Sequence, residues 1–335
     1  MSRDEIAGRE IADFAAARTI GSAPFRLAII LVPGFALMSF ASAIEPARAA
    51  NRMSGRKLYQ WALFGTGAES VESNSGIEVA ARPVGEIDPA DFDMVIICAA
   101  SHAETKRFMT VEAAARRLHR AGLALAAVST GSFVLARAGL LTGRRCTVHW
   151  DYADSFREAF PEVDLLNDLF VVDGRILTCA GATAALDMML ELIQCHHGRE
   201  LARQIADQFL HGGIRGATEG QRQVLLGAAV RNTVVQRAVQ RMEATVEEPV
   251  SPARLAHELG VSQRQLERLS KRYLGCTPAK FHAQLRLQRA RRMLRQTELS
   301  VAEIAIACGF VSLSHFAKAY RRQFSVSPRQ DRQAA

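Results

Sequence analysis

The chain of 335 residues has no C-x-x-C pair: Cys98, Cys146, Cys179, Cys195, Cys276 and Cys308 stand singly. That spacing excludes a disulfide scaffold and a zinc ribbon and suits a reducing cytosol. Long apolar runs are scarce as well. One charge-free stretch, Leu27–Ile44, reaches 18 residues, but Pro33-Gly34 breaks it. Asp4, Glu5, Glu10 and Asp13 precede it where a signal peptide would carry basic residues. The stretch reads as a buried strand, a turn and a helix running toward Arg48, in a soluble, cytoplasmic protein with no membrane partner. Aromatic residues make up only 7%, with two tryptophans. A hydrophobic share of 49% with 23% charged residues excludes a disordered or fibrous chain.

The length is about twice that of a common domain, so two domains are expected. The net charge of +8 is unevenly spread. Residues 232–335 carry 18 Lys and Arg against 8 Asp and Glu, a net of +10, and the preceding 231 residues net −2. A mildly acidic portion joined to a strongly basic one suggests a sensing or catalytic domain fused to a polyanion binder.

Residues 1–22 read as a flexible tail, a loose or marginal helix that frays. From Phe25 to Ala206, apolar runs (RLAIILV, FDMVIICAA, LALAAV, RILTCAG) alternate with helical patterns, among them 104–120 and 183–196. Near-continuous apolar strands are buried on both faces, which predicts a mostly parallel, flavodoxin-like α/β domain over 23–211. Ligands of such folds sit beyond the carboxyl ends of the strands. The Gly-rich stretch after 211 reads as a linker over 212–231, followed by an all-α domain over 232–331.

That last domain repeats itself. LAHELGVS (Leu255–Ser262) matches IAIACGFVS (Ile304–Ser312), with Gly260 and Gly309 at an offset of 49; Thr277-Pro278 matches Ser327-Pro328 at 50. Each copy reads as helix, glycine turn, Ser start and second helix, the helix-turn-helix pattern. Ser251 before Pro252, Ser262-x-x-Gln265 and Ser300-x-x-Glu303 read as helix caps. In the second helix of the first copy, Leu266, Leu269 and Tyr273 form an apolar stripe opposite Arg264, Glu267 and Arg268. In the later copy Phe316 and Tyr320 point inward, and Ser314 and Lys318 share the outer face. Arg bonds guanine bidentately and Glu accepts from cytosine, so the first helix carries base-reading chemistry; Ser314 and Lys318 suit phosphate equally well. The expected DNA-binding residues are Ser262, Gln263, Arg264, Glu267, Arg268, Ser312, Ser314 and Lys318.

This region, including TPAKFHAQLRLQRARRMLRQT and GFVSLSHFAKAYRRQFSVSP, resembles the AraC/XylS family of transcription activators over about one hundred residues. The resemblance implies two helix-turn-helix units entering successive major-groove segments, roughly 34 Å apart. Arg289, Arg291, Arg292 and Arg295 would lie on the connecting helix, serving either phosphate contact or plain solubility.

In the first domain, LALAAVSTGSFVLARAGLL places a small-residue turn between an apolar strand and a helix. Such an elbow exposes one side chain, here Ser129, beside the free N–H groups of the helix start at Thr130 and Gly131. With the first strand and Pro33-Gly34, the CTVHW strand and the TCAGATAALD turn, the elbow resembles the class I glutamine amidotransferase-like superfamily in its PfpI branch. That branch implies an elbow cysteine and a glutamate after the first strand. Ser129 and Ser39 stand there instead, while His149 matches the branch's histidine. Losing the thiolate and its supporting carboxyl implies no catalysis; a Ser129–His149 hydrolase dyad is the enzymatic alternative. Ser39, Ser129, Thr130, His149 and Trp150 are the expected ligand-binding residues, with anion-favouring N–H groups and an aromatic face that can hold a cation. Trp61, Tyr59 and Tyr152 read as either pocket or core aromatics, and Glu45 and Arg48 as either pocket-facing or mutually paired. His196-His197, adjacent on a helix, point to different faces and are not expected to hold metal. No cofactor is expected.

The two-domain order resembles GlxA-type bacterial regulators, and EPARAANRMSGRKLYQW with HWDYADSFREAFP most resembles regulators of arginine, carnitine and glycine-betaine catabolism. The resemblance implies an activator that binds promoter DNA, works with RNA polymerase, senses an amino-acid-like or quaternary-amine zwitterion and can form a homodimer. A regulator switched by a protein partner is the remaining alternative.

Overall fold

The computed structural model describes residues 3–16, 23–67, 69–100, 102–221 and 232–333. The chain divides into Met1–Gln221 and Arg222–Ala335.

In the first unit the strands are β1 (Phe25–Leu31), β2 (Tyr59–Gly65), a hairpin of β3 (Ser70–Glu72) and β4 (Glu78–Ala80), β5 (Arg82–Pro83), β6 (Met94–Ala99), β7 (Ala124–Ser129), a short pair of β8 (Arg145–Cys146) and β9 (Asp164–Leu165), then β10 (Phe170–Asp173) and β11 (Ile176–Cys179). Seven build one sheet in the order β10-β11-β7-β6-β1-β2-β5, parallel except at β10–β11. In register, Ile29 stands beside Leu63 and Ile96. Because successive side chains alternate between faces, Leu27, Ile29 and Leu31 enter one core and Ala28 and Ile30 the other, which is why the run is apolar throughout.

Helices α1 (Arg3–Ala16), α2 (Leu37–Ser54), α6 (Ala184–His197) and α7 (Arg199–Gln208) cover the first core; α3 (Met109–Arg120), α4 (Gly131–Arg137) and α5 (Ala153–Ala159) cover the second. Leu27–Ile44 resolves into β1, a turn and the start of α2. No helix among the described residues is long and apolar enough to cross a membrane.

Three segments differ from expectation. The supposed tail contains α1, which buries Ile11, Phe14 and Ala15 and pairs Glu10 with Arg145 at 2.6 Å; its short apolar stripe gains its worth only against the folded sheet. CTVHW is strand only at Cys146, and its remainder turns into a short 3-10 helix at Trp150–Tyr152. The start of the supposed linker is strapped onto the first unit: Arg215 and His211 bond Asp187, and Leu169 donates its N–H to the Ala217 and Glu219 carbonyls. Residues 222–231 lie outside the described residues.

Among its described residues the second unit is helical: α8 (Thr233–Ala244), α9 (Pro252–Glu258), α10 (Gln263–Leu274), α11 (Pro278–Gln296), α12 (Val301–Ala307), α13 (Leu313–Phe324) and α14 (Pro328–Gln333). It has two small cores, and α11 serves both. Leu285 joins Leu255, Leu266 and Met242, while Leu287, Ala290, Met293 and Leu294 join Ile304, Phe316 and Tyr320.

Candidate DNA interface and candidate ligand site

Each half of the helical unit is a helix-turn-helix: α9 with α10, and α12 with α13. The Ser251, Ser262 and Ser312 hydroxyls accept the N–H groups of Arg254, Gln265 and His315 at 3.2–3.3 Å. Ser300 and Glu303 form a reciprocal capping box. These bonds satisfy donors that a helix start leaves open. Ser262 and Ser312 are thereby committed to their own helices while remaining exposed. Beyond them, Arg264, Arg268, Ser314 and Lys318 point to solvent. Gln263 donates to the Glu267 carboxylate at 3.0 Å, so these two present a paired amide and acid.

The connecting helix does work that the sequence left undecided. Arg291 and Arg295 bond the buried Asp331 at 2.8 and 2.6 Å, and the Tyr320 hydroxyl donates to the same carboxylate at 2.8 Å. Burial pushes the Asp331 carboxyl up, but hydrogen bonds from Arg295, Tyr320 and Arg291 more than reverse this and hold it below the usual range. Arg289 reaches Glu247 at 2.8 Å. Arg289, Arg291 and Arg295, read as phosphate contacts or solubilising groups, thus join structural ion pairs. Arg286, not singled out by sequence, donates to the Cys308 and Gly309 carbonyls and stacks 4.0 Å over the Phe310 ring, clamping the second turn.

At the elbow, Ser129 ends β7 with φ of 60°, in the left-handed region that non-glycine residues rarely enter. Gly181 packs against it so closely that a Cβ there would come within 2.6 Å of the Ser129 Cβ. Ser39 accepts the neighbouring Ala182 N–H at 2.7 Å, so Ser39 and Ser129 converge on one turn. Thr130 donates its hydroxyl to the Ala100 carbonyl at 2.7 Å and is fully buried; its side chain is a strut and not a pocket wall, leaving only its backbone for a ligand. Ser132 donates to the Thr147 carbonyl at 2.6 Å, tying the His149 segment to the elbow helix.

The His149 Nδ1 accepts the Asp151 N–H at 3.3 Å, which assigns the ring proton to Nε2. Burial lowers the His149 pKa, against a smaller opposing pull from Asp151, and keeps the imidazole neutral. The ring therefore offers a donor and no free basic nitrogen. Trp150 and Tyr152 lie with ring centroids 5.5 and 6.1 Å from it. Burial pushes the Cys179 thiol up to about 12 and raises Cys98 further, so neither supplies the missing thiolate.

The remaining candidates have structural partners. Trp61 packs on the first core, and Glu45 and Arg48 pair with each other at 2.6 Å. His196 takes the Tyr59 hydroxyl at 2.9 Å, and burial lowers its pKa to about 4. Gln221 was missed: it bonds the Trp150 N–H, the Thr147 hydroxyl and the Val148 and Asp168 carbonyls. A lone glutamine in a polar stretch gives no signal. Asp187, also missed, did give one, as a single acid in the apolar run AALDMML.

A DJ-1/PfpI family model matches residues 26–195, and a helix-turn-helix domain model matches 255–334. The HTH-type transcriptional regulator GbdR of Pseudomonas aeruginosa is 42% identical over 92% of this chain and 84% of its own. The HTH-type transcriptional regulator GlxA of Rhizobium meliloti is 39% identical over 90% and 94%. A crystal structure of an AraC family transcriptional regulator from Pseudomonas putida shares the fold, with a TM-score of 0.50 at 24% identity over 56% of this chain and 100% of that one. With the elbow fold and the paired helix-turn-helix units in one chain, the protein belongs to the GlxA-type AraC family of transcriptional regulators, which join a DJ-1/PfpI domain to a helix-turn-helix domain.

Proposed function

We propose that the protein is a cytoplasmic, effector-dependent activator whose first unit binds a small zwitterion and catalyses nothing. The observation that carries this reading is the elbow itself. It keeps the strained Ser129 beside helix-start N–H groups, yet its histidine presents a donor where a hydrolase needs a base. A carboxylate at the Ser129–Gly131 backbone, with a cationic end against Trp150, suits an amino-acid-like or quaternary-amine ligand. Ser39 and Ser129 would shape the floor, His149 would donate from Nε2, and Thr130 would contribute its N–H. Promoter DNA would meet Gln263, Arg264, Glu267, Arg268, Ser314 and Lys318, with Ser262 and Ser312 at the helix starts. RNA polymerase and a second copy of the chain are the further partners proposed.

The test is a thermal-shift screen of the full chain against arginine, carnitine, glycine betaine, dimethylglycine and simple carboxylates. Ligand at one hundred times its dissociation constant stabilises the binding state by about 2.7 kcal/mol. A hit that Trp150→Ala abolishes, with Ser129→Ala leaving no activity to lose, supports the reading. Turnover abolished by Ser129→Ala would refute it, and silence across all ligands would favour a protein-partner switch.

A further inference from the structure

The two recognition helices do not carry the same chemistry. Superposing the repeats by their glycines and caps pairs Gln263 with Leu313, Arg264 with Ser314, Glu267 with Ala317 and Arg268 with Lys318. The change of offset from 49 to 50 comes from one extra residue between turn and cap, Val311. That residue is fully exposed at 106%, and Leu313 on the other side of the Ser312 cap is 49% exposed. Where the first unit offers an amide, two guanidinium groups and a carboxylate, the second offers isopropyl, isobutyl and methyl groups, one hydroxyl and one amine.

Val311 and Leu313 flank the Ser312 cap at the start of α13, the end of the second helix that a helix-turn-helix presents to base edges. Lys318, Arg321 and Arg322 are exposed on the same helix, and with Ser314 and Ala317 they line a shallow hollow. An apolar leading edge framed by cations complements the DNA major groove, where phosphates lie on both sides and thymine alone displays a methyl group. We infer that the second helix-turn-helix reads thymine C5-methyl groups through Val311 and Leu313, with Ala317 behind them, while the first unit reads by hydrogen bonds. The site would then be divided: a half chosen for donor and acceptor pattern, and a half chosen for methyl groups. This rests on the DNA-binding reading above and specifies what one of its two helices recognises.

The experiment starts with duplexes selected from a random pool by the full-length protein at physiological salt. Each thymine of the selected site is then replaced by deoxyuridine, which removes the methyl and nothing else. Loss of one buried methyl is expected to weaken binding about fourfold, at thymines of one half-site only. Arg264→Ala should relax sequence choice in the other half. Val311→Ser with Leu313→Ser, both exposed and so harmless to folding, should bind thymine and uracil duplexes equally. Ile306→Ser, which removes an apolar residue from α12 whose exposure lies between those of Val311 and Leu313, should keep the discrimination. Specific binding indifferent to every thymine methyl overturns the inference and leaves the DNA reading standing. A double variant that still discriminates but no longer activates transcription assigns the patch to RNA polymerase and also overturns it. Absence of any sequence preference defeats the DNA reading itself.

Discussion

Gln221 holds Trp150 by its backbone: Gln221 Oε1 accepts the Trp150 N–H at 2.7 Å, and Nε2 donates toward the Thr147 hydroxyl and the Val148 and Asp168 carbonyls at 2.8, 2.9 and 3.1 Å. Gln221 is also the last residue of the first unit. The segment bearing His149 and Trp150 is therefore fastened to the point where the chain leaves the sensing fold. If the effector proposed above shifts this segment, it strains the clasp, and that cost would set two states apart as a switch requires.

Replacing Gln221 tests this coupling. Gln221→Ala removes four bonds at a half-buried site and should cost about 1–2 kcal/mol in urea unfolding of the full chain. It should also shrink the effector-dependent change in operator affinity while leaving effector-free binding intact. Equal effector response in the variant, measured by DNA titration with and without ligand, would show that the signal travels elsewhere.

Asp187 anchors the strap that precedes the clasp. Its fully buried carboxylate meets His211 at 2.7 Å and Arg215 at 2.6 Å. Breaking a wholly buried pair costs about 3–5 kcal/mol, but Arg215 is 36% exposed, and water compensates part of the loss. Asp187→Ala should therefore destabilise the protein by about 2–3 kcal/mol, and Asp187→Asn by less because it can still accept from Arg215. Limited proteolysis should cut the variants first between residues 209 and 221, the stretch that Asp187 holds down.

What could be read in advance follows the range of the forces involved. Caps, the glycine turns and the strand periodicity act within a few residues, so Ser251, Ser300, Gly260 and the apolar run at Phe25–Leu31 announced their elements directly. The elbow was legible because a small-residue turn between strand and helix is itself local. The docking of helix α1 was not, since Ile11 and Phe14 are ordinary residues until β10 and α6 give them a surface. The strap at 211–221 looked like a linker because Gly212, Gly213 and Gly216 suggest freedom, whereas Asp187, more than twenty residues earlier, removes it. That the Thr130 side chain is a strut was hidden for the same reason: nothing nearby in sequence reveals that Ala100 takes its hydroxyl.

The Asp331 cluster predicts an acid-sensitive second half of the DNA-binding unit. Its folded pKa lies below the unfolded value of about 3.9. A group depressed in this way contributes stability above the unfolded pKa, and the contribution fades as pH falls through the folded one. Asp331→Asn should therefore be less stable than the parent at neutral pH, by about 2 kcal/mol given that Arg291 and Arg295 remain 37% and 45% exposed. The gap between the two should close as the pH drops below about 4. Denaturant unfolding over a pH series checks this, and a constant gap would mean that shape and not charge holds α14 in place.

The two turn glycines look interchangeable and should not be. Gly260 and Gly309 both adopt left-handed backbone, with φ of +69° and +70°. A Cβ at Gly260 meets open space, so Gly260→Ala should cost only the left-handed penalty of about 1–2 kcal/mol. At Gly309 the same Cβ would come within 2.6 Å of the Glu247 carbonyl oxygen and 2.9 Å of that of Val246, and backbone atoms cannot swing aside as a side-chain tip can. Overpacking adds about 1–3 kcal/mol to the backbone penalty. Relief would also pull on the Cys308 and Gly309 carbonyls that Arg286 holds, loosening the turn that aims α13. In full-length protein, Gly309→Ala should unfold at a clearly lower denaturant concentration than Gly260→Ala. It should lose preference in the half-site read by the second unit while keeping it in the first. Equal losses for the two alanines would mean that the Val246–Glu247 backbone gives way freely and that the close approach at Gly309 does not matter.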